Sequence, residues 1–444
     1  MRHCVFILAL LRILTTLTYA QTPAPPLNEP ADLTECIQYA LQNQPNVRRA
    51  LIDQEITERT VRSALAAWYP QIGFGYNLQH FLKLPVTLIP DQATGERRPV
   101  ALGARNTSAF QFTLNQNIFS RDLLLANRTA EVYRAQATQT TASNKIDVVV
   151  NVSRAFYDLI TTQWQVTILD QDIARLLRSQ QDTRNQYESG LVDKTDVQRA
   201  TIALNNARAQ LKQYREQVGS KYQTLKQFMG YPPTAGLAVE YDTLQLANEV
   251  LLDTSQVVNP QNRIEYQLLQ TQGQLLDANV LYNKQAYLPT VAAIANYNFL
   301  YQNNDFSQLY SRSFPNSLIG VTLGVPIFQG GRRVQEIRRA ELQVRRLQWD
   351  LAALTSAVDA EYAQALADYK GNLANYNALR ENLLLAQDVY RILSLQYRAG
   401  IKAYLDVVIA EADLRTARLS VYNALYQVLA SKLEVQRALG TIRF

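Results

Sequence analysis

Hydrophobic positions along this chain change period twice in each half, from steps of three or four to steps of two and back. Leu33, Ile37, Leu41, Val47, Leu51 and Ile56 recur mostly at three- or four-residue steps, the spacing of one face of a helix. Pro45 interrupts that stretch, so the pattern predicts a break near Gln44 and a helix end near Trp68-Tyr69-Pro70. From Ile72 the period becomes two: Ile72, Phe74, Tyr76, Leu78, His80, Leu82 and Leu84 alternate with Gly73, Gly75, Asn77, Gln79, Phe81 and Lys83. A second alternation carries Phe110, Phe112, Leu114 and Ile118. The segment between them holds Pro85, Pro90, Gly95, Pro99 and Gly103 and reads as a loop.

The second half repeats the scheme. Val291, Ala293, Ala295, Tyr297, Phe299 and Tyr301 form one alternating set, and Ile319, Val321, Leu323, Val325 and Ile327 another. The four strands are expected at about 71–84, 108–119, 290–301 and 316–328. Their length suits tilted transmembrane β-strands, although a soluble sheet of two hairpins fits the same alternation.

A long helix is expected after each strand pair, over about 122–188 and 333–398, with return helices over about 195–228 and 404–439. No proline falls between Pro99 and Pro232 or after Pro326. At 1.5 Å per residue each long helix would reach roughly 100 Å, which calls for coiled-coil packing. Gly190 and Gly400 mark the turns, because glycine takes the left-handed conformation a helix stop needs.

The two halves are copies. Gln186-Tyr187-Glu188-Ser189-Gly190-Leu191 recurs as Gln396-Tyr397-Arg398-Ala399-Gly400-Ile401, 210 positions on. At the same shift Asp196-Val197 answers Asp406-Val407, Ala200 answers Ala410, Ala207-Arg208 answers Ala417-Arg418 and Gly230 answers Gly440. Ile118-Phe119 answers Ile327-Phe328 at nearly that offset. The organisation expected is a signal peptide (1–20), an extended proline-rich leader (21–31), a first repeat (32–230), a linker or equatorial collar (231–260) and a second repeat (261–444). The collar contains Pro232-Pro233, Gly236 and the amphipathic run from Leu244 to Leu252.

Composition narrows the function. Arg2, a largely apolar stretch from Val5 to Leu17 and Thr18-Tyr19-Ala20 read as a secretory signal. Its removal takes away Arg2 and Arg12, so the formal charge falls from +6 to +4, weak support for nucleic-acid or anionic-membrane binding. Cys36 would then be the lone thiol and His80 the lone histidine, which leaves little for a disulfide, a metal cluster or a catalytic triad. Cys36 is expected as a buried helix thiol. No metal or other cofactor is implied, and no polar constellation has catalytic spacing. The basic run Arg332, Arg333, Arg338, Arg339, Arg345 and Arg346 has Glu336, Glu341 and Asp350 within helix-pairing distance, so a solvated or salt-bridged face is favoured over a substrate site. Tyr69, Tyr76, Tyr287, Tyr297 and Tyr301 suit an aromatic girdle at membrane level.

An ordered set of motifs resembles the TolC-like outer-membrane efflux proteins. It comprises Leu33-Thr34-Glu35-Cys36-Ile37-Gln38-Tyr39-Ala40-Leu41 with Asn43-Gln44-Pro45, then Tyr69-Pro70-Gln71 and Tyr287-Leu288-Pro289. Val325-Pro326-Ile327-Phe328-Gln329-Gly330-Gly331 and the two Tyr-x-x-Gly turns, each followed by Asp-Val, complete it. The resemblance spans about residues 31–440. It implies an α+β membrane protein of two structural repeats. Each repeat would give two β-strands to a shared trimeric 12-stranded transmembrane β-barrel, with long antiparallel coiled-coil helices forming a periplasmic tunnel. Four strands are too few for a barrel of one chain; the number three comes from the resemblance.

The implied function is the outer-membrane channel-tunnel of a tripartite efflux system. It would passively export small molecules that an inner-membrane transporter delivers through a periplasmic membrane-fusion adaptor. An outer-membrane duct for type I protein secretion fits the sequence almost as well, and a secreted coiled-coil scaffold without a pore is the reading from another class. The implied partners are two further copies of the chain, the adaptor, the transporter and outer-membrane lipid, with no nucleic acid. Matched by motif position, the periplasmic gate falls on Thr195, Asp196, Tyr397, Lys402 and Asp406, and the helix-turn tips for adaptor contact on Gly190, Leu191, Gly400 and Ile401. Lys402 is expected to pair with Asp196, and Tyr397 to donate to it, an exposed link of about 0.2–1 kcal/mol. Lys402 stands where the best-known member has arginine, and Ile409 where it has a second aspartate. Capping of the return helices is the plainer role for Asp196 and Asp406.

Overall fold

A computed structural model describes residues 30–90, 96–240 and 250–444. The signal peptide, most of the leader and the collar run 244–249 lie outside the described residues. The chain packs as two compact units, and each draws on both sequence repeats: 50–142 with 260–357, and 1–49 with 143–259 and 358–444.

The first of these units holds helices α2 (Pro45–Leu65, mostly here) and α5 (Ile264–Lys284), the opening parts of α3 (Arg121–Glu188) and α6 (Arg332–Arg398), and the strands. Strands β1 (Gln71–His80), β4 (Asn106–Phe119), β5 (Thr290–Asn303) and β6 (Ser313–Gly324) form an antiparallel sheet in the order β1-β4-β5-β6. The register puts Phe74 opposite Phe112, Phe112 opposite Tyr297, and Ala295 opposite Ile319, so Phe74, Tyr76, Phe110, Phe112, Tyr297, Phe299, Ile319 and Val321 share a face. The other face is lined by amides: Gln111 Nε2 donates to Asn296 Oδ1 at 3.2 Å, and Asn298 Nδ2 to Asn316 Oδ1 at 3.3 Å. The four strands carry no charged residue. The apolar face is open to solvent in the single chain, with Phe74 61 % and Ile319 90 % exposed.

Three strand limits differ from the pattern, each for want of a partner. β1 stops at His80 because its ladder with β4 begins at Asn106, and the last backbone bond there runs from Phe81 N to Arg105 O, 2.7 Å. β6 stops at Gly324, opposite Thr290 at the start of β5, and Pro326 has no N–H to extend it. The expected loop instead contains a two-stranded ribbon, β2 (Val86–Pro90) with β3 (Arg97–Ala101). Pro99 is tolerated there because both ribbon strands are edges.

Below the sheet the helices lie in a row. Glu58 of α2 accepts from Arg134 of α3 at 2.6 Å. Thr271 of α5 donates to Gln139 of α3 at 2.8 Å, and Lys284 of α5 pairs with Glu341 of α6 at 3.0 Å. The order is therefore α2-α3-α5-α6, matching the strand order above it.

The second unit contains α1 (Leu33–Asn43), the remainders of α3 and α6, and the return helices α4 (Lys194–Met229) and α7 (Tyr404–Leu439). A capping box opens α1: Asp32 Oδ1 accepts from Glu35 N at 2.7 Å, and Glu35 Oε2 from Asp32 N at 3.0 Å. The break falls at Gln44, as the proline predicts. Gly230 ends α4 with φ 68°, and a Cβ there would meet Asn43 O at 2.8 Å, so only glycine lets α4 abut this break. The core joins Val152, Phe156 and Leu159 of α3, Leu225 and Met229 of α4, Tyr369 of α6, and Val428 and Leu429 of α7. Cys36 is fully buried, as expected; burial, then the charges of Asp32 and Glu35, push its thiol up to about 12. The described end of the linker is tied down by Tyr369, whose hydroxyl donates to Val250 O at 2.8 Å.

Candidate functional site

The two helical turns are built alike. Gly190 N bonds to Tyr187 O at 3.0 Å and Leu191 N to Gln186 O at 2.8 Å; Gly400 N bonds to Tyr397 O and Ile401 N to Gln396 O, both at 2.9 Å. This pair of backbone bonds is the Schellman motif, and it requires the left-handed φ of Gly190 (80°) and Gly400 (75°). The motif leaves the following residue outside the helix, so Leu191 and Ile401 project into solvent, 76 % and 71 % exposed. The expected tip residues thus sit at two equivalent, solvent-facing ends.

Asp196 and Asp406 occupy matching places in the first turns of α4 and α7. Their N–H groups bond to Asp193 O (3.0 Å) and Ala403 O (3.2 Å). Neither is the N-cap residue, which is Asp193 or Ala403, but both carboxylates lie at the positive end of a helix dipole. Thr195 is exposed beside Asp196.

The pairing expected from the motif is not the one made within the chain. Lys402 Nζ lies 3.8 Å from Asp406 Oδ2, one turn along its own hairpin, rather than on Asp196. Tyr397 donates to Gln186 Oε1 at 2.5 Å. The reason is reach: Asp406 is an i+4 neighbour of Lys402, and Gln186 belongs to the turn that faces Tyr397. Tyr397 therefore links the two hairpins, and its ring packs 5.6 Å from that of Tyr404. Burial and Tyr404, and more weakly Asp196 and Asp182, hold its hydroxyl above the usual phenol range, against a smaller opposing effect of Gln186. It stays a donor at neutral pH. Two further links join helices here: Ser179 with the Tyr404 hydroxyl at 3.0 Å, and Gln180 Nε2 with Thr201 Oγ1 at 2.9 Å.

Higher in the same bundle lies a charged layer that periodicity did not single out. Asp172, 1 % exposed, accepts from Arg175 and from Arg418 Nη1 at 3.2 Å. Glu411, 5 % exposed, lies 4.0 Å from Arg175 Nε. Asp172 Oδ2, Arg175 Nε and Glu411 Oε1 are buried and make no hydrogen bond among the described residues. The signal was present: Glu411, Arg415 and Arg418 recur at helical spacing within an apolar stripe of α7.

The family described as "Outer membrane efflux protein" matches residues 36–231 and 261–441. The chain belongs to the outer membrane efflux protein family. Among relatives, the outer membrane protein TolC of Vibrio cholerae is 22 % identical over 421 residues, covering 93 % of this chain and 91 % of that protein. The probable efflux pump outer membrane protein TtgC of Pseudomonas putida is 24 % identical over 429 residues, covering 93 % and 83 %. The crystal structure of the outer membrane protein VceC from Vibrio cholerae aligns with TM-score 0.70 at 16 % identity, over 92 % of this chain and 96 % of that one. CusC aligns with TM-score 0.72 at 16 % identity, over 94 % and 95 %. These likenesses establish a barrel-and-tunnel fold. As a member of the outer membrane efflux protein family, the chain is an outer-membrane protein of efflux, and the family is one of transport proteins. No helix among the described residues is long and apolar enough to cross a membrane.

Proposed function

We propose that the chain is one third of a passive channel-tunnel, a homotrimer whose three four-stranded sheets close a 12-stranded barrel in the outer membrane. Small molecules reach it from an inner-membrane transporter through a periplasmic membrane-fusion adaptor. The observation that carries this reading is the sheet itself. It has an apolar outer face, an uncharged amide-lined inner face, and two unpaired edges, β1 and β6. Open edges in hydrocarbon cost several kcal/mol per unsatisfied backbone group, so the edges must pair with further copies. The four strands cannot curl into a barrel alone.

In this reading the two turns form the closed end. Thr195, Asp196, Tyr397, Lys402 and Asp406 line the constriction, and Gly190, Leu191, Gly400 and Ile401 present the surface for the adaptor. Three copies of Asp406, each with Lys402 of its own chain 3.8 Å away, place a ring of ion pairs at the constriction. Energy comes from the transporter, and the chain itself does no chemistry. Conductance in planar bilayers tests the assignment. Asp196→Ala with Lys402→Ala raises the open conductance if these residues hold the constriction closed; an unchanged conductance sinks the gate assignment.

A further inference from the structure

Six arginines lie in the opening turns of α6, and the contact of this helix with α5 fixes where each of them points. Arg333, Ala340 and Leu347 recur at steps of seven and are buried. They face α5. A Cβ on Gly273 would meet Leu347 Cδ2 at 2.9 Å, and the Arg333 guanidinium lies 4.8 Å over the ring of Tyr287, just past the end of α5. The other five arginines therefore fall on the remaining surface of the helix. Arg332, Arg339 and Arg346 stand one residue before the α5-facing set and share one flank; Arg338 and Arg345 turn away from it.

The hand of the sheet decides which flank looks into the barrel. Phe81 N donates to Arg105 O, so the odd residues of β1 are the hydrogen-bonded pairs of its ladder with β4. Gln71, Asn77 and Gln79 are among them and belong to the amide face. An L-residue in a rising strand, seen with its side chain toward the viewer, turns its N–H and C=O to the right. Seen from the amide face with β1 rising, β4 stands on its right, and the strand and helix orders both run left to right. α6 descends in this view with α5 on its left. Each residue of a right-handed helix running downward lies about 100° to the left of the one before it. Arg332, Arg339 and Arg346 consequently face the viewer, on the side of the amide-lined surface, and Val334 and Glu341 face away.

Two members of this column are already neutralised along the helix. Arg332 Nε lies 3.7 Å from Glu336, and Arg346 Nε 3.8 Å from Asp350. Arg339, exposed between them, has no ion pair among the described residues. The expectation of a salt-bridged face thus holds for its neighbours and fails at Arg339, which leaves one net positive charge on this flank of α6. The repeat shift of 210 places Thr129 at the corresponding position of α3, so the ring has one arginine per chain.

We infer that Arg339 is a specificity-determining residue of the tunnel. Three copies form a cationic ring about 10 Å below the start of α6, and that ring admits and concentrates small organic anions bearing carboxylate or phosphate groups. This rests on the shared-barrel reading and names its class of solute. Rings of arginine or lysine are a means by which pores select anions. A walled passage focuses their field and raises the local concentration of counter-ions, and the guanidinium offers a fork that matches carboxylate and phosphate oxygens.

Reversal potentials of the full-length protein in planar bilayers test this. A KCl gradient from about 0.1 to 0.01 M keeps the Debye length at about 10–30 Å, so the ring is not screened out. Arg339→Gln is expected to lower the chloride-to-potassium permeability ratio by at least about twofold. Arg339→Lys, which keeps the charge, should retain the ratio, and Arg338→Gln, off the inner flank, should leave it unchanged. Citrate added on the barrel side should reduce the potassium current at a concentration at least about threefold lower in the parent than in Arg339→Gln. An unchanged ratio in Arg339→Gln overturns the inference, and an equal or larger fall in Arg338→Gln overturns the choice of flank. Equal citrate sensitivity of parent and Arg339→Gln overturns the assignment of organic anions. A parent protein that is monomeric by light scattering overturns the shared barrel instead, which keeps the two failures apart.

Discussion

Arg418 on α7 reaches the buried carboxylate of Asp172 on α3 at 3.2 Å, tying the first hairpin of the chain to the second. Arg175 shares the same carboxylate oxygen, and the other oxygen makes no hydrogen bond among the described residues. Breaking a buried pair by removing one partner typically costs about 3–5 kcal/mol, because the remaining charge is left uncompensated. Asp172→Ala, which strands Arg418 and Arg175, should therefore lower unfolding stability by about that amount in urea titration. A loss under about 1 kcal/mol would show that water already solvates this layer.

Glu411 gives the same layer a pH dependence of known sign. Burial raises its pKa, and Arg175 and Arg415 oppose the shift only in part; the Tyr390 hydroxyl faces it from α6. A carboxyl with a raised pKa binds more protons folded than unfolded. Its contribution therefore penalises the fold at neutral pH, and the penalty lifts as pH falls through the folded pKa. Glu411→Gln should raise the thermal midpoint at pH 7.5. The difference from the parent should shrink towards the ordinary glutamate range near pH 4. A difference that grows on acidification would reverse the assignment.

Gly400 and Gly230, both left-handed at a helix end, separate strain from steric clash. A Cβ at Gly400 meets nothing within 4 Å, so Gly400→Ala should cost only the left-handed conformation, about 1–2 kcal/mol. Gly230→Ala adds a collision with the backbone of Asn43 and Gln44 at 2.8 Å and should cost clearly more. Calorimetric unfolding of both variants checks the order.

Tyr397 is the hydrogen-bonded link between the two turns. Tyr397→Phe keeps its packing against Tyr404 and removes the bond to Gln186, worth about 0.5–1.5 kcal/mol. If that bond opposes opening, the open probability in bilayers should rise by roughly 2- to 12-fold. No change would assign the bond to structure alone.

Cys36 offers a probe of local opening. Its buried thiol, pushed up to about 12, should resist thiol-reactive reagents at pH 8 in the folded protein and react at the rate of global unfolding in denaturant. Rapid labelling in buffer would show that α1 opens by itself.

Much of this was legible in the sequence. Period two against period three or four located the strands and helices, because one-sided burial imposes those spacings on any chain. Pro45 marked the break at Gln44, and Gly190 and Gly400 marked the turns, since each fixes a backbone conformation locally. The ribbon β2–β3 escaped because Pro85, Pro90, Pro99 and Gly95 signal a loop, whereas two edge strands accept proline. The partners of Lys402 and Tyr397 escaped for a different reason. Motif position names the residues at a turn, but whether Lys402 meets Asp406 or Asp196 depends on how far apart two hairpins stand. The burial of Asp172 and Glu411 also needed the packed bundle, because a charged residue at a helical period looks solvent-facing until a third helix covers it. Sequence by itself determined the repeat, the elements and the faces they bury, all consequences of local backbone rules and one-dimensional periodicity. Tertiary structure alone decided which side chains meet across elements, because those contacts depend on distances that no spacing along the chain encodes.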